Sequence, residues 1–262
     1  MSERSEQADG GSGAGEHGPG KVPAVTALFW VIKIFATTLG ETAGDAVTMS
    51  MDLGYLAGTA IFGALFAGAV AAQIAARRFH PLLYWLTIIA TTTVGTTLAD
   101  FADRSLGIGY AGGAAALLVL LGGSLLLWFR TLGSVAIDTV RSRRAEAFYW
   151  LTIMLSQTLG TALGDWTADS AGLGYGGSAI LFGALLVLVL LAFLLTRISR
   201  TILFWAAFIL TRPLGAVVGD FLDKPPGAGG LGWSRYVASA VLLAVILACV
   251  ALSRPRPRPR PR

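Results

Sequence analysis

Four tryptophans in register constrain this chain more than any other feature. Phe29-Trp30, Tyr84-Trp85, Tyr149-Trp150 and Phe204-Trp205 each open an apolar run. Ten residues beyond each tryptophan stands a glycine (Gly40, Gly95, Gly160, Gly215), and five beyond that an aspartate (Asp45, Asp100, Asp165, Asp220). A second apolar run then opens at Gly54-Tyr55, Gly109-Tyr110 and Gly174-Tyr175, and in the fourth copy, after a three-residue extension, at Gly232-Trp233. Self-similarity at a fixed period means copies of one structural unit that bury their apolar faces against each other. The tryptophan spacings of 55, 65 and 55 residues divide the copies into two pairs, with ten extra residues in the middle linker. Each copy reads as two helices: about 25–46 and 55–77, 82–102 and 110–130, 147–167 and 175–196, 201–221 and 233–253.

The apolarity of these runs decides what solvent they suit. Of 262 residues, 55% are hydrophobic and 13% charged, against about 25% charged in a typical soluble domain. Crossing a bilayer takes roughly 20 mostly apolar residues at 1.5 Å each. The sequence therefore predicts an all-α, polytopic integral membrane protein, its eight transmembrane helices arranged as four parallel two-helix repeats. The eight-helix domain covers 22–253, with repeats at about 22–81, 82–146, 147–200 and 201–253. Residues 1–21 read as a disordered cytoplasmic leader without the apolar core of a signal peptide. Residues 254–262, arginine alternating with proline, read as an extended basic tail, able to touch anionic headgroups or simply to help fix orientation. The linker 131–147 reads either as a short interfacial helix, basic on one side, or as a plain cytoplasmic loop.

Loop charge sets the orientation. Arg77, Arg78, Arg130, Arg141, Arg143, Arg144, Arg197 and Arg200 follow the second helices, whereas Asp52, Asp103, Asp169 and Asp223 follow the first, with Arg104, Lys224 and Arg235 the basic residues among them. Positive charge stays on the cytoplasmic side. Both termini are therefore expected in the cytoplasm of a bacterial inner (cytoplasmic) membrane. Each copy returns the chain to its starting side, so the repeats are parallel and their pseudo-symmetry axis follows the membrane normal.

The chemistry lies on the first helix of each copy. Lys33, Thr37, Glu41 and Asp45 follow one another at spacings of four, on one slowly drifting face. Beside them Gly40 and Gly44 make a small-xxx-small stripe that lets another backbone approach. The later copies carry Thr92, Thr93, Gly95 and Asp100; Gln157, Gly160, Gly164 and Asp165; and Arg212, Pro213, Gly215, Gly219 and Asp220. Polar groups at membrane depth must face protein or water. The first helices are thus expected to line the interior and the leucine-rich second helices to face lipid. The expected packing points are Gly40, Gly44, Gly95, Gly160, Gly164, Gly215 and Gly219. The expected ion pathway comprises Lys33, Thr37, Thr38, Glu41, Asp45, Thr93, Asp100, Gln157, Asp165, Arg212 and Asp220. Within it, Glu41, Asp45, Asp100, Asp165 and Asp220 are the candidate metal ligands, converging on one cavity open to the outside. Two blander readings stand beside this one. The aspartates also suit solvated turn formers, and Lys33 or Arg212 also suits plain neutralisation of nearby acids. If the copies close into a ring, copies one and four become neighbours, and Lys33 or Arg212 can then pair with Glu41. Pro213 removes a backbone donor and frees a carbonyl, as a ligand or for Thr211 to cap.

Lys21-Val-Pro-Ala-Val-Thr, Ile32-Lys33 through Leu39-Gly40-Glu41, Arg143-Arg144-Ala-Glu-Ala-Phe-Tyr-Trp150-Leu-Thr, Gly160-Thr-Ala-Leu-Gly-Asp165 and Thr211-Arg212-Pro-Leu-Gly-Ala216 occur in order along the chain. In these motifs it resembles a bacterial family of uncharacterised membrane-anchored proteins with tandem repeats of unknown function. The resemblance covers about 22–253 and implies the fold without an activity. Glu41-Thr-Ala-Gly44-Asp45 is similar to the Glu-x-Gly-Asp signature of manganese exporters, with one residue more between Glu and Gly. Thr92-Thr93-Val94-Gly95 looks like part of a potassium-channel filter, but the repeat leaves little room for a pore helix.

Oxygen donors of these kinds suit hard cations such as Mn²⁺ or Mg²⁺. A membrane transporter or channel-like protein for a cation is therefore the expected function, and a non-transporting scaffold or sensor is the alternative. An enzyme is not expected: His17 and His80 lie far apart, and the single cysteine, Cys249, sits in an apolar run as a packing residue and excludes an internal disulfide. No cofactor and no nucleic-acid partner is implied; lipid and an inorganic cation are the expected partners.

Overall fold

A computed structural model describes residues 21–253; the leader call falls almost wholly, and the tail call wholly, outside them. Eight long helices follow in chain order: α1 (Ala27–Asp45), α2 (Gly54–Ala75), α3 (Pro81–Asp100), α4 (Tyr110–Leu132), α5 (Arg143–Asp165), α6 (Gly174–Leu195), α7 (Arg200–Asp223) and α8 (Arg235–Leu252). The described residues contain no strand. Local signals place several starts. The Thr26 and Ser142 hydroxyls accept from the N–H groups of Phe29 and Ala145, and Pro81 occupies a first-turn position that needs no donor.

The connection within a copy has one form in the first three copies. Directly after the conserved-register aspartate the chain widens into a five-residue π turn, Ala46–Ser50, Phe101–Ser105 and Trp166–Ser170. The glycine that opens the next apolar run then takes a left-handed φ, +74° at Gly54, +77° at Gly109 and +62° at Gly174. Only glycine adopts that conformation without a Cβ clash, which accounts for the recurring Gly-Tyr pair. Copy four departs from this form. There α7 stays α-helical to Asp223 and a 3₁₀ turn, Pro226–Ala228, follows.

The odd-numbered helices form a closed inner ring: α1 packs on α3, α3 on α5, α5 on α7, and α7 back on α1. Each even-numbered helix leans from outside on the inner helix of the next copy, α2 on α3, α4 on α5, α6 on α7 and α8 on α1. This offset ties every copy to its successor, and α8 returns the end of the bundle to its beginning. Six helices (α2, α3, α4, α6, α7 and α8) are long and apolar enough to cross a membrane. The layers differ sharply in burial: 72% of the apolar stretch of α3 is buried, but only 6% of that of α2. Large apolar side chains such as Leu56, Val119, Ile180 and Val237 stand exposed on the outer helices. The two more polar helices, α1 and α5, belong to the inner ring, where polar side chains find protein partners.

The linker contains no separate interfacial helix. Ser142 caps α5, Arg143 and Arg144 start its first turn, and only a 3₁₀ turn, Ile137–Thr139, precedes them. Glu146 is buried there and pairs with Lys21 at 2.7 Å. Near the same end the tryptophans and their neighbours assemble into one aromatic layer. Phe29, Trp85, Tyr84, Trp150, Tyr149, Trp205 and Phe204 meet with ring centroids 5.1–6.4 Å apart, with Trp128 of α4 inserted among them. The Tyr84 and Tyr149 hydroxyls, 2.6 Å apart, satisfy each other inside it. The layer closes that end of the ring with apolar area and edge-to-face contacts, each pair adding about 0.5–1.5 kcal/mol beyond burial.

Candidate functional site

The ring is held by glycines that admit the neighbouring helix, and this packing places the polar side chains. Gly40 faces Thr92, Gly95 faces Gln157, Gly160 faces Arg212 and Gly215 faces Thr37. Each glycine lies ten residues after its tryptophan and each partner seven after the next one, so one contact is made four times around the ring. A turn further on, Gly44 meets Thr96, Gly164 meets Ala216 and Gly219 meets Glu41. A methyl group at Gly219 would sit 2.7 Å from the Glu41 Cβ.

This register brings equivalent positions of the four copies to one depth. Eleven residues after the tryptophans stand Glu41, Thr96, Thr161 and Ala216. The Arg212 side chain, from one turn below on α7, reaches into this level. Its Nη2 donates to Glu41 Oε2 at 2.9 Å, to Thr96 Oγ1 at 2.6 Å and to Thr161 Oγ1. The Thr96 hydroxyl also lies 3.3 Å from Glu41 Oε2. One side chain from each copy thus meets in a single knot, in which Arg212 is 0% and Glu41 3% exposed. Below it Lys33 stands apart from the acids. Its Nζ donates to Thr211 Oγ1 at 3.4 Å and lies 4.1 Å above the Phe208 ring. Of the two bases considered for Glu41, the structure joins Arg212.

The four aspartates form the next level outward, and two bases divide them into pairs. Arg104 sits 2.9 Å from Asp100 and 4.0 Å from Asp165. Lys224 sits 2.5 Å from Asp45 and 3.0 Å from Asp220. Arg235 adds a contact to Asp223 at 2.9 Å and to Asp45 at 3.7 Å. Burial alone would lower the Lys224 ammonium's pKa, but Asp220, Asp45 and Asp223 outweigh it and hold the group well above the ordinary lysine value.

Three expectations need correction here. The aspartates are not solvated turn formers, since none of the four is more than 4% exposed. They do not line an open mouth either, because each is buried against Arg104, Lys224 or Arg235. The five candidate ligands also do not make one set: Glu41 goes to Arg212, Asp100 and Asp165 to Arg104, and Asp45 and Asp220 to Lys224. Within the seven-residue level, Thr37 donates to the Thr211 carbonyl of α7, while Gln157 and Thr92 are buried without a hydrogen-bond partner. The Thr38 and Thr93 hydroxyls bond back to Ile34 and Ile89 of their own helices and join no cluster. Thr211 donates to the Phe208 carbonyl, one residue before the carbonyl that Pro213 leaves free.

Six residues of this arrangement lie outside the ion pathway expected from the sequence: Thr96, Thr161, Arg104, Asp223, Lys224 and Arg235. The two threonines carry a signal, because they align with Glu41 once the four tryptophans are superposed. The others lie in the turns between helices or at the helix ends beside them, where only the packing of copies shows which group they reach.

A family model described as "Repeat of Unknown Function (DUF347)" matches residues 28–79, 83–134, 148–199 and 203–254. No curated protein and no solved structure matches the chain.

Proposed function

The chain belongs to the DUF347 repeat family, its four matches spanning nearly the whole bundle, and we propose that it is a multi-pass membrane protein that moves a cation along the axis of its inner ring. The outward apolar faces of α2, α4, α6 and α8 suit hydrocarbon, since apolar area of this extent on a soluble monomer would be a large liability. All eight helices then span, and the arginine-bearing loops put both ends of the bundle on the cytoplasmic side of an inner membrane.

The observation that carries the reading is the buried ionic column. Glu41 and four aspartates, all from the inner ring, lie nearly inaccessible in two successive levels, each balanced by an ammonium or guanidinium group. Charges this deep are costly and belong to function more often than to framework. Three of the balancing groups, Arg104 and Lys224 from turns and Arg235 from the start of α8, reach in and stay partly exposed. They stand where an arriving cation would bind. The aromatic layer seals the opposite end, so the arrangement corresponds to a closed state in which every one of these acids has a basic neighbour. A divalent metal such as Mn²⁺ or Mg²⁺ suits the carboxylate and hydroxyl donors.

The test is flux into vesicles carrying the full chain, compared for Mn²⁺, Mg²⁺, Ca²⁺ and K⁺. Uptake of a divalent ion, lost in Glu41→Gln while the variant inserts normally, is the expected result. A second reading, a non-transporting scaffold or sensor, draws on the fact that each of these acids has a basic partner. Absence of flux for every ion tested, or unchanged flux in Glu41→Gln, favours it.

A further inference from the structure

The fourth copy breaks the symmetry of the other three, and the break has a chemical consequence. Because α7 continues as an α-helix where the other inner helices widen, it carries one more acid, Asp223, to the seam between α7 and α1. Asp45, Asp220 and Asp223 each present a carboxylate oxygen within 4.8 Å of the others. They are 1%, 4% and 7% exposed. Asp45 Oδ1 and Asp223 Oδ1 are buried with no hydrogen-bond partner. Their Oδ2 atoms take the contacts to Lys224 and Arg235. A buried oxygen without a donor is unfavourable and calls for a ligand. Beside the cluster a pocket of about 460 Å³ opens to the surface, lined by Asp223, Arg235, Ser50, Pro226, Trp233 and Tyr236. It leads from solvent to one of the three carboxylates.

We propose that Asp45, Asp220 and Asp223 form a divalent-cation site at the seam of the first and fourth copies, reached through this pocket, with Lys224 the group the cation displaces. A hard cation holds oxygens at about 2.3–2.6 Å, so oxygens that share one lie no further apart than about 5 Å, a limit the three carboxylates keep within. With Lys224 and Arg235 in place, three carboxylates and two bases leave a charge of −1. Exchanging the ammonium for a divalent ion brings that to zero, so the site is neutral when loaded. The ammonium, on the turn after α7, has the surface beside it to move into. The role of the site in transport rests on the cation reading above; its existence rests on the seam alone.

The test measures Mn²⁺ binding to the full chain in nanodiscs, by the loss of the free Mn²⁺ paramagnetic resonance signal. The wild type should bind one ion at the seam, and Lys224→Met should bind it about tenfold more tightly, since removing a neighbouring positive charge is worth at least that factor. Asp223→Asn should weaken binding about tenfold or more, whereas Asp169→Asn, an exposed acid outside the cluster, should change nothing. Tighter binding by Lys224→Met cannot come from misfolding, so that arm protects the test. No binding by either the wild type or Lys224→Met, or binding that Asp223→Asn leaves intact, overturns the site. Vesicle flux separates the two ideas. Binding as described with no flux keeps the site and rejects transport, and flux that survives Asp223→Asn without seam binding does the reverse.

Discussion

The pair of Glu41 and Arg212 gives the sharpest quantitative test of the ring. Arg212→Met removes three bonds at once and leaves the Glu41 carboxylate, 3% exposed, with the Thr96 hydroxyl at 3.3 Å as its remaining partner. Stranding one member of a buried pair costs about 3–5 kcal/mol. That corresponds to a loss of roughly a hundredfold to a few thousandfold in the folding equilibrium. Glu41→Met strands the guanidinium instead and should cost a similar amount. The double variant removes both charges and fills the space with apolar atoms, which is close to neutral in comparable cores. The cycle should therefore show a coupling of at least about 3 kcal/mol. The assay is reversible unfolding in mixed micelles of rising SDS fraction, read by tryptophan fluorescence. Trp30, Trp85, Trp128, Trp150 and Trp205 all sit in or against the aromatic layer of the same ring and report its opening. Single variants whose costs simply add, within about 0.5 kcal/mol, would refute the contact and with it the closure of copy four onto copy one.

Two further outcomes follow from the packing and the loops. Gly219→Leu and Gly164→Leu should prevent assembly, because even a first carbon there lies 2.7 Å from Glu41 and 3.1 Å from Ala216; Gly122→Ala and Gly183→Ala, which face open space, should leave expression and thermal stability of the purified protein unchanged. Topology reporters fused at Ser50, Asp103, Asp169 and Pro226 should register the outside, and those at His80, Ser142 and Arg200 the cytoplasm; alternation between copies would reject the parallel arrangement.

Much of this molecule was legible in the order of its residues, because a repeat is a local property. The spacing of tryptophan, glycine and aspartate locates all eight helices, and the glycines name the faces that pack, since close approach of two backbones needs a missing side chain wherever it occurs. The closed ring was conditional in the sequence, and with it the choice of Arg212 over Lys33 as the partner of Glu41. Lys33 shares α1 with Glu41 but stands two turns, about 12 Å, away along it; the vertical register of α7 against α1 is what brings Arg212 to the acid. The same holds for the outer level. Arg104, Lys224 and Arg235 stand in turns or at the start of a helix, where sequence shows charge but not direction, so the aspartates read as an open mouth when they are in fact buried.

Asp223 marks the boundary most clearly. As a residue it is one loop acid among several, and the three-residue extension after it reads as a length variation. Its place beside Asp45 depends on two facts settled in three dimensions: α7 keeps its α-helical pitch where the other copies widen, and the fourth copy meets the first. The sequence by itself determined the unit, its helices and its contact faces, because these depend on neighbours a few residues away. The partners across the ring were decided by tertiary structure, because a side chain's charge acts over a few ångströms of space and its neighbours there come from residues as far as 190 positions distant in the chain, as Arg235 and Asp45 are.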